Sequence, residues 1–212
     1  MLDENKNKIL AGAESLFLKY GFKNITMDDI ARELGVSKKT LYQFFDDKSS
    51  LVDQTVSRHI EHEECACRNL RNQISNPIDY MLMITDTFGD LKKQINQSIL
   101  YDLKKYFKST WEKLNQFRID FIYSQVLDNL KKGKEMGLYH ENLNENLVAR
   151  FYIHLIDFML NPDNYHGENT DFKTVHTEMV NYHLRSICTP KGATYLKKQS
   201  LRFNQVINPD KK

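Results

Sequence analysis

The sequence predicts an all-α chain, with a small three-helix head followed by a larger helical body. Three observations lead there. The 212 residues include only 8 Gly and 4 Pro, too few for a β-chain that must turn every few residues. Apolar residues return at helical spacing along most of the length, and no segment alternates with a convincing period of two. Hydrophobic residues make up 41% of the chain, enough to fill a core and to argue against global disorder.

The elements follow in order. Ile9, Ala13, Leu16, Phe17 and Tyr20 mark one face of a first helix, and Gly21 stands at its stop. Thr26 caps a second helix, and Asp29 three residues on completes the pattern of a capping box. Ile30, Ala31 and Leu34 form that helix's apolar side, and Gly35 ends it because the chain must turn there with a positive φ. Ser37 caps a third, short helix that reaches about Phe45. A long helix follows from about Ser50 to Asn72. Beyond Asn76-Pro77, where Pro77 suits a first-turn position, helices are expected over 77–94, 97–107, 109–136, 144–160 and 171–187. Gly137, Asn161-Pro162-Asp163 and Gly167 punctuate the later ones. Three segments result: a head over 4–50, a body over 51–188 and a basic tail over 189–212. The tail is read as a solvated terminus or a terminal helix.

Composition excludes several function classes. Three cysteines cannot staple a secreted scaffold, so a reducing cytoplasm is expected. No apolar run approaches the ~18 residues of a membrane span, and MLDENKNKIL lacks a signal-peptide block. Thirty basic against 28 acidic residues leave a net charge of +2, too little to bind nucleic acid by bulk charge. The distribution is uneven, however. Residues 1–58 are neutral, 59–188 carry −3 and 189–212 carry +5, and no acid lies between Leu34 and Phe45. No Gly-rich phosphate loop, nucleophile elbow or HExxH is present, so no catalytic residues, metal or cofactor are expected.

Residues 26–48, TMDDIARELGVSKKTLYQFFDDK, carry the chemistry. Two short helices joined by a tight Gly turn make a helix-turn-helix, with the motif proper at about 27–46. The second helix must be short, rigidly held and polar on one side to enter a major groove about 12 Å wide. Val36, Leu41 and Phe45 are expected to pack inward. That leaves Lys38, Lys39, Thr40, Tyr42 and Gln43 for DNA. Lysine neutralises phosphate or contacts guanine, and glutamine pairs with adenine through two hydrogen bonds. Thr26 and Met27 open the preceding helix, whose free N–H groups suit a phosphate.

With AxxLFLKYGF at 13–22, TMDDIARELGVSKKTLYQFF at 26–45 and Lys48…Leu51, residues 5–51 resemble the TetR (TetR/AcrR-like) family of bacterial transcriptional regulators. The resemblance implies about nine helices and a homodimer. It places Thr26, Ser37, Lys38, Lys39, Thr40, Tyr42, Gln43 and Lys48 at DNA-contacting positions. Two positions depart from the pattern. Phe44 stands where a phosphate-bonding His or Tyr is frequent, and Asp28 where some members have a basic residue. The function implied is a repressor on a palindromic operator, released by a small-molecule effector. The rivals are an effector-independent DNA-binding protein of chromosome organisation or division, an activator or co-regulator, and an all-α carrier or enzyme with a vestigial head.

One head reads only a few base pairs, so two are needed at fixed spacing. Helices 144–160 and 171–187 are the expected dimer seam, because Leu147–Leu160 is apolar on more than one side. Phe88, Phe107, Trp111, Phe117, Phe121 and Tyr152 are candidates to line an effector pocket, with ordinary core packing as the alternative for each. His59, His62 and Cys65 stand at i, i+3 and i+6, a spacing that drifts about 120° around a helix. They are read as a solvated, partly packed face rather than a metal or redox sensor.

Overall fold

The computed structural model describes residues 2–91, 99–161, 164 and 172–207, with side chains over 4–85, 99–161, 164 and 172–199. The helices are α1 (Leu2–Tyr20), α2 (Met27–Glu33), α3 (Lys38–Phe44), α4 (Lys48–Gln73), α5 (Pro77–Leu91) and α6 (Ile99–Tyr106). They continue with α7 (Lys108–Phe117), α8 (Tyr123–Glu135), α9 (Glu145–Leu160), α10 (Phe172–Ile187) and α11 (Pro190–Ile207). A single π turn, Arg118–Ile122, joins α7 to α8 without a break. The all-α expectation therefore holds. Among the described residues the nearest thing to a strand is one isolated bridge, Tyr139 to Cys188.

The chain forms two compact units. The first takes residues 1–66 and 94–119, and the second takes 67–93 and 120–212. In the first, α1 to α3 and the start of α4 bury Ile9, Ala13, Phe17, Ile30, Leu41, Phe45, Leu51 and Val52 in one cluster. Ile99 and Leu103 of α6 join the same cluster. Tyr20 departs from its expected inward position and is 42% exposed, because α1 turns its last apolar position past the edge of that core.

In the second unit α10 lies against α5 and α9, and α8 against α9 and α5. Ile78, Met81, Leu130, Tyr139, Ala149, Val180, Leu184 and Ile187 form its interior. The segment read as a basic tail is, through Ile207, the helix α11; residues 208–212 lie outside the described ones. Leu196 is buried and the Tyr195 hydroxyl donates to Asp79 Oδ2 at 2.6 Å. Gly192 admits the chain so closely that a Cβ there would stand 2.1 Å from the Leu138 carbonyl oxygen. A solvated terminus would have no need of that fit.

Candidate nucleic-acid interface

Local chemistry sets the two short helices of the head. The Thr26 hydroxyl accepts the Asp29 amide at 3.1 Å, and the Asp29 carboxylate accepts the Thr26 amide in return. This reciprocal cap satisfies two donors that a helix start leaves free. Asp29 is held below the usual carboxylate range, first by the Thr26 hydroxyl and amide. Gly35 makes the turn at φ +64°, a conformation that costs other residues about 1 kcal/mol or more. The Ser37 side chain then caps α3 by accepting the Thr40 amide at 3.0 Å, and the two hydroxyls share a hydrogen bond at 2.7 Å.

Leu41 is fully buried and Phe45 nearly so, which fixes the inner side of α3. At ~100° per residue, Lys38, Lys39, Tyr42 and Gln43 span an outward arc of about 140°. All four are exposed, and half of Tyr42's surface meets solvent. Lys38 pairs with Asp28 on α2 at 2.5 Å. Among the described residues Lys39 has no ion pair, and Tyr42 and Gln43 have no side-chain hydrogen bond.

The eight residues singled out in the sequence therefore divide. Lys38, Lys39, Tyr42 and Gln43 form one exposed face. Thr26 and Ser37 spend their hydroxyls on capping, and the Thr40 hydroxyl is bonded to that of Ser37. Lys48 is turned to the fold, where Nζ donates to the Lys23 carbonyl at 3.2 Å and lies 6.0 Å from the Phe107 ring centre. Burial lowers its pKa, opposed by Asp102 and Asp29.

Behind this face, α1 and α4 are clamped by charge. Glu14 accepts from Arg58 Nη1 at 2.9 Å and from His59 Nδ1 at 3.1 Å, while Glu63 lies 3.6 Å from His59 Nε2. Burial alone would push the His59 imidazole down, but hydrogen bonds to Glu14 and then Glu63 outweigh it and raise it to about 9. His59 is thus an ion-pair partner rather than one member of a set with His62 and Cys65. Among the described residues no three His, Cys, Asp or Glu side chains are placed to hold a metal ion.

The aromatic candidates do not converge. Phe107 and Trp111 pack on the core of the first unit, and the Arg118 guanidinium lies over Trp111 at 5.4 Å. Phe117 belongs to the same unit and Phe121 to the second. Tyr152 is buried in the second, edge-on to His183 at 4.8 Å. The side chain of Phe88 lies outside the described residues. Sequence reasoning missed His183, which is 4% exposed, has no hydrogen bond to Nε2 and is pushed down to about 4 by burial. Its helix is of mixed polarity and also carries His176, so nothing local singles out His183.

On α9, Ala149, Tyr152, Ile156 and Met159 face inward. Leu147, Phe151 and Phe158 lie outward on the opposite side, with Phe151 at 62% exposure. Tyr182 of α10 is 67% exposed. No helix among the described residues is long and apolar enough to cross a membrane.

The family model described as bacterial regulatory proteins, tetR family, matches residues 9–55. The chain is 29% identical over 157 residues to the HTH-type transcriptional regulator YvaF of Bacillus subtilis, covering 74% of this chain and 81% of YvaF. It is 26% identical over 158 residues to IcaR of Staphylococcus aureus, the negative transcriptional regulator of the biofilm operon icaADBC, covering 71% and 77% respectively. In three dimensions it resembles a putative transcriptional regulator of Saccharomonospora viridis solved in complex with choline. There the TM-score is 0.72 at 15% identity, over 88% of this chain and 99% of that one.

Proposed function

Because the chain belongs to the tetR family of bacterial regulatory proteins, we propose that it is a DNA-binding transcriptional repressor governed by a small-molecule effector. The observation that carries this reading is the outward face of α3: two lysines, a tyrosine and a glutamine on a short helix capped and turned by Ser37 and Gly35. Lys38 and Lys39 supply phosphate neutralisation or guanine contacts, and Gln43 supplies an amide for adenine. Tyr42 packs against the groove wall. Thr26, Ser37 and Thr40 act by fixing the backbone that meets phosphate. Lys48 reaches a phosphate only by leaving the Lys23 carbonyl.

Two copies pair through α9 and α10, whose exposed Leu147, Phe151, Phe158 and Tyr182 would otherwise face water. The pair sets two recognition helices in successive major grooves of a palindromic operator and blocks a nearby promoter. The repression named for IcaR supports the sign of the effect, and the choline-bound fold relative supports an effector. Release follows if the effector binds the DNA-incompetent state better than the competent one. The work takes place in the cytoplasm and includes no catalytic step.

The test is Lys38→Ala with Lys39→Ala in gel shift on a duplex selected from a random pool with the wild-type protein. Binding should weaken, and the slope of log affinity against log salt should become shallower by about 0.9 for each phosphate no longer neutralised. Equal affinity at every salt concentration refutes the assignment.

A further inference from the structure

We propose that the cleft at the α6–α7 junction is a second phosphate-contacting surface, which holds DNA backbone beyond the groove entered by α3. The inference rests on the DNA-binding reading above and extends its footprint.

The cleft has a volume of about 370 Å³ and is lined by Ser49, Lys105, Tyr106, Phe107, Lys108, Ser109 and Thr110. Ser49 is the second residue of α4. The helices α6 and α7 belong to the same compact unit as the head, so the cleft and α3 are placed on one body. Aromatic carbon forms part of the wall, but two ammonium groups and four hydroxyls set its chemistry. An effector cavity is mostly apolar and enclosed; this one is open and cationic.

The charge around it is mostly positive, and among the described residues the one carboxylate bonded to its lining, Asp53, which accepts the Thr110 hydroxyl at 3.1 Å, is paired with Lys113 at 2.6 Å. Lys104, Lys105 and Lys108 are exposed, and Ile99–Trp111 contains a single acid, Asp102. That carboxylate is 4% exposed and accepts the Lys23 amide at 2.9 Å. The nearest acid of the preceding turn, Asp47, caps α4 by accepting the Ser50 amide at 2.7 Å. Lys105 Nζ rests on the Tyr101 hydroxyl at 2.8 Å, between the rings of Tyr101 and Tyr106. That contact leaves two of its three N–H groups for another acceptor. Lys108 makes no ion pair among the described residues, and the hydroxyls of Ser49 and Ser109 make no hydrogen bond there. Ammonium groups flanked by free hydroxyls suit the anionic oxygens of a phosphodiester. A surface that meets only phosphates adds affinity and salt dependence without reading sequence.

The experiment compares wild type, Lys105→Gln with Lys108→Gln, and Lys105→Arg with Lys108→Arg. Each is titrated by fluorescence anisotropy from 50 to 200 mM salt against a duplex selected with the wild-type protein and against its scrambled form. Circular dichroism confirms folding, since both lysines are exposed. The Gln pair should bind both duplexes about ten-fold more weakly, with a salt slope shallower by about 1 to 2. The preference for selected over scrambled should be unchanged, and the Arg pair should bind like wild type. An unchanged affinity and slope in the Gln pair overturns the inference while leaving the DNA reading intact. Thermal stabilisation of wild type by inorganic phosphate, absent in a Gln pair that still binds DNA normally, overturns it in favour of a free-anion site. A wild-type protein that selects no sequence removes both readings together.

Discussion

The clamp between α1 and α4 should make the stability of the first unit depend on pH, and Glu14→Gln should remove most of that dependence. His59 is held at about 9 in the folded protein, against about 6.5 when unfolded. A raised pKa stabilises the fold fully below the unfolded value. The gain declines from about pH 6.5 and is gone above about 9. The difference corresponds to a ceiling of about 3 kcal/mol at 1.36 kcal/mol per unit. The His59 side chain is 38% exposed, so solvent screening cuts the expected contribution to about 1–2 kcal/mol. Arg58 is also left without its partner in the variant, but this adds an offset that is constant across the window, because Arg stays charged. The informative quantity is therefore the change of the gap with pH. The chain has one tryptophan, Trp111, packed on the core of this unit, so urea unfolding followed by its fluorescence reports the right transition. The gap between wild type and Glu14→Gln should be widest near pH 6 and narrow by about 1–2 kcal/mol by pH 9.5. In a His59→Gln background the narrowing should vanish. A gap that stays constant from pH 6 to 9.5 refutes the assignment of a charged His59.

Three further outcomes are expected. Asp28→Asn frees Lys38 from an ion pair whose partners are 62% and 55% exposed. Such pairs contribute at most about 1 kcal/mol, so operator affinity measured by anisotropy should rise by about two- to five-fold. Gly192→Ala forces a methyl against the Leu138 carbonyl and should cost about 2 kcal/mol or more in urea unfolding, whereas Gly35→Ala meets nothing within 4 Å and should cost only the ~1 kcal/mol of its backbone conformation. Phe151→Glu should give a monomer in sedimentation at micromolar concentration, since it sets a charge on the apolar stripe of α9.

What is legible in the sequence is what is decided within a few residues. Thr26 with Asp29, Ser37 with Thr40, and Gly35 act over three or four positions, and each is readable as a cap or a turn. Helices 144–160 and 171–187 are legible within a residue because long apolar periodicity fixes them. The illegible parts depend on distant partners. His59 resembles one of a His-His-Cys set because i and i+3 stand out, yet its partner Glu14 lies on another helix. Phe107 and Trp111 are apolar enough for a pocket or a core, and only the fold decides between them. The +5 charge of 189–212 suggests a tail. Its helix is held by Leu196, Tyr195 and Gly192, and the contacts of the last two with Asp79 and Leu138 have no local signature.

The neutral sum of residues 1–58 conceals an asymmetry in how their charges are used. Asp29 and Asp47 are helix caps. Glu14 holds Arg58 and His59, and Asp53 holds Lys113 and Thr110. Four acids are thus committed to the fold, whereas Lys39 remains open and Lys38 is restrained by Asp28 alone. A head built this way presents more positive potential to DNA than its total charge indicates, because potential at a groove depends on where charges sit. The Asp28–Lys38 pair works in the opposite direction. It must open, or share its lysine, before Lys38 meets a phosphate, and that cost falls on every encounter. Only a site that also satisfies Gln43 and Tyr42 recovers it. On this view Asp28 lowers affinity for operator and random DNA alike, and Asp28→Asn should raise both while leaving their ratio nearly unchanged. A selective gain on operator alone would instead mean that Lys38 reads a base, and that Asp28 withholds it from guanine rather than from phosphate.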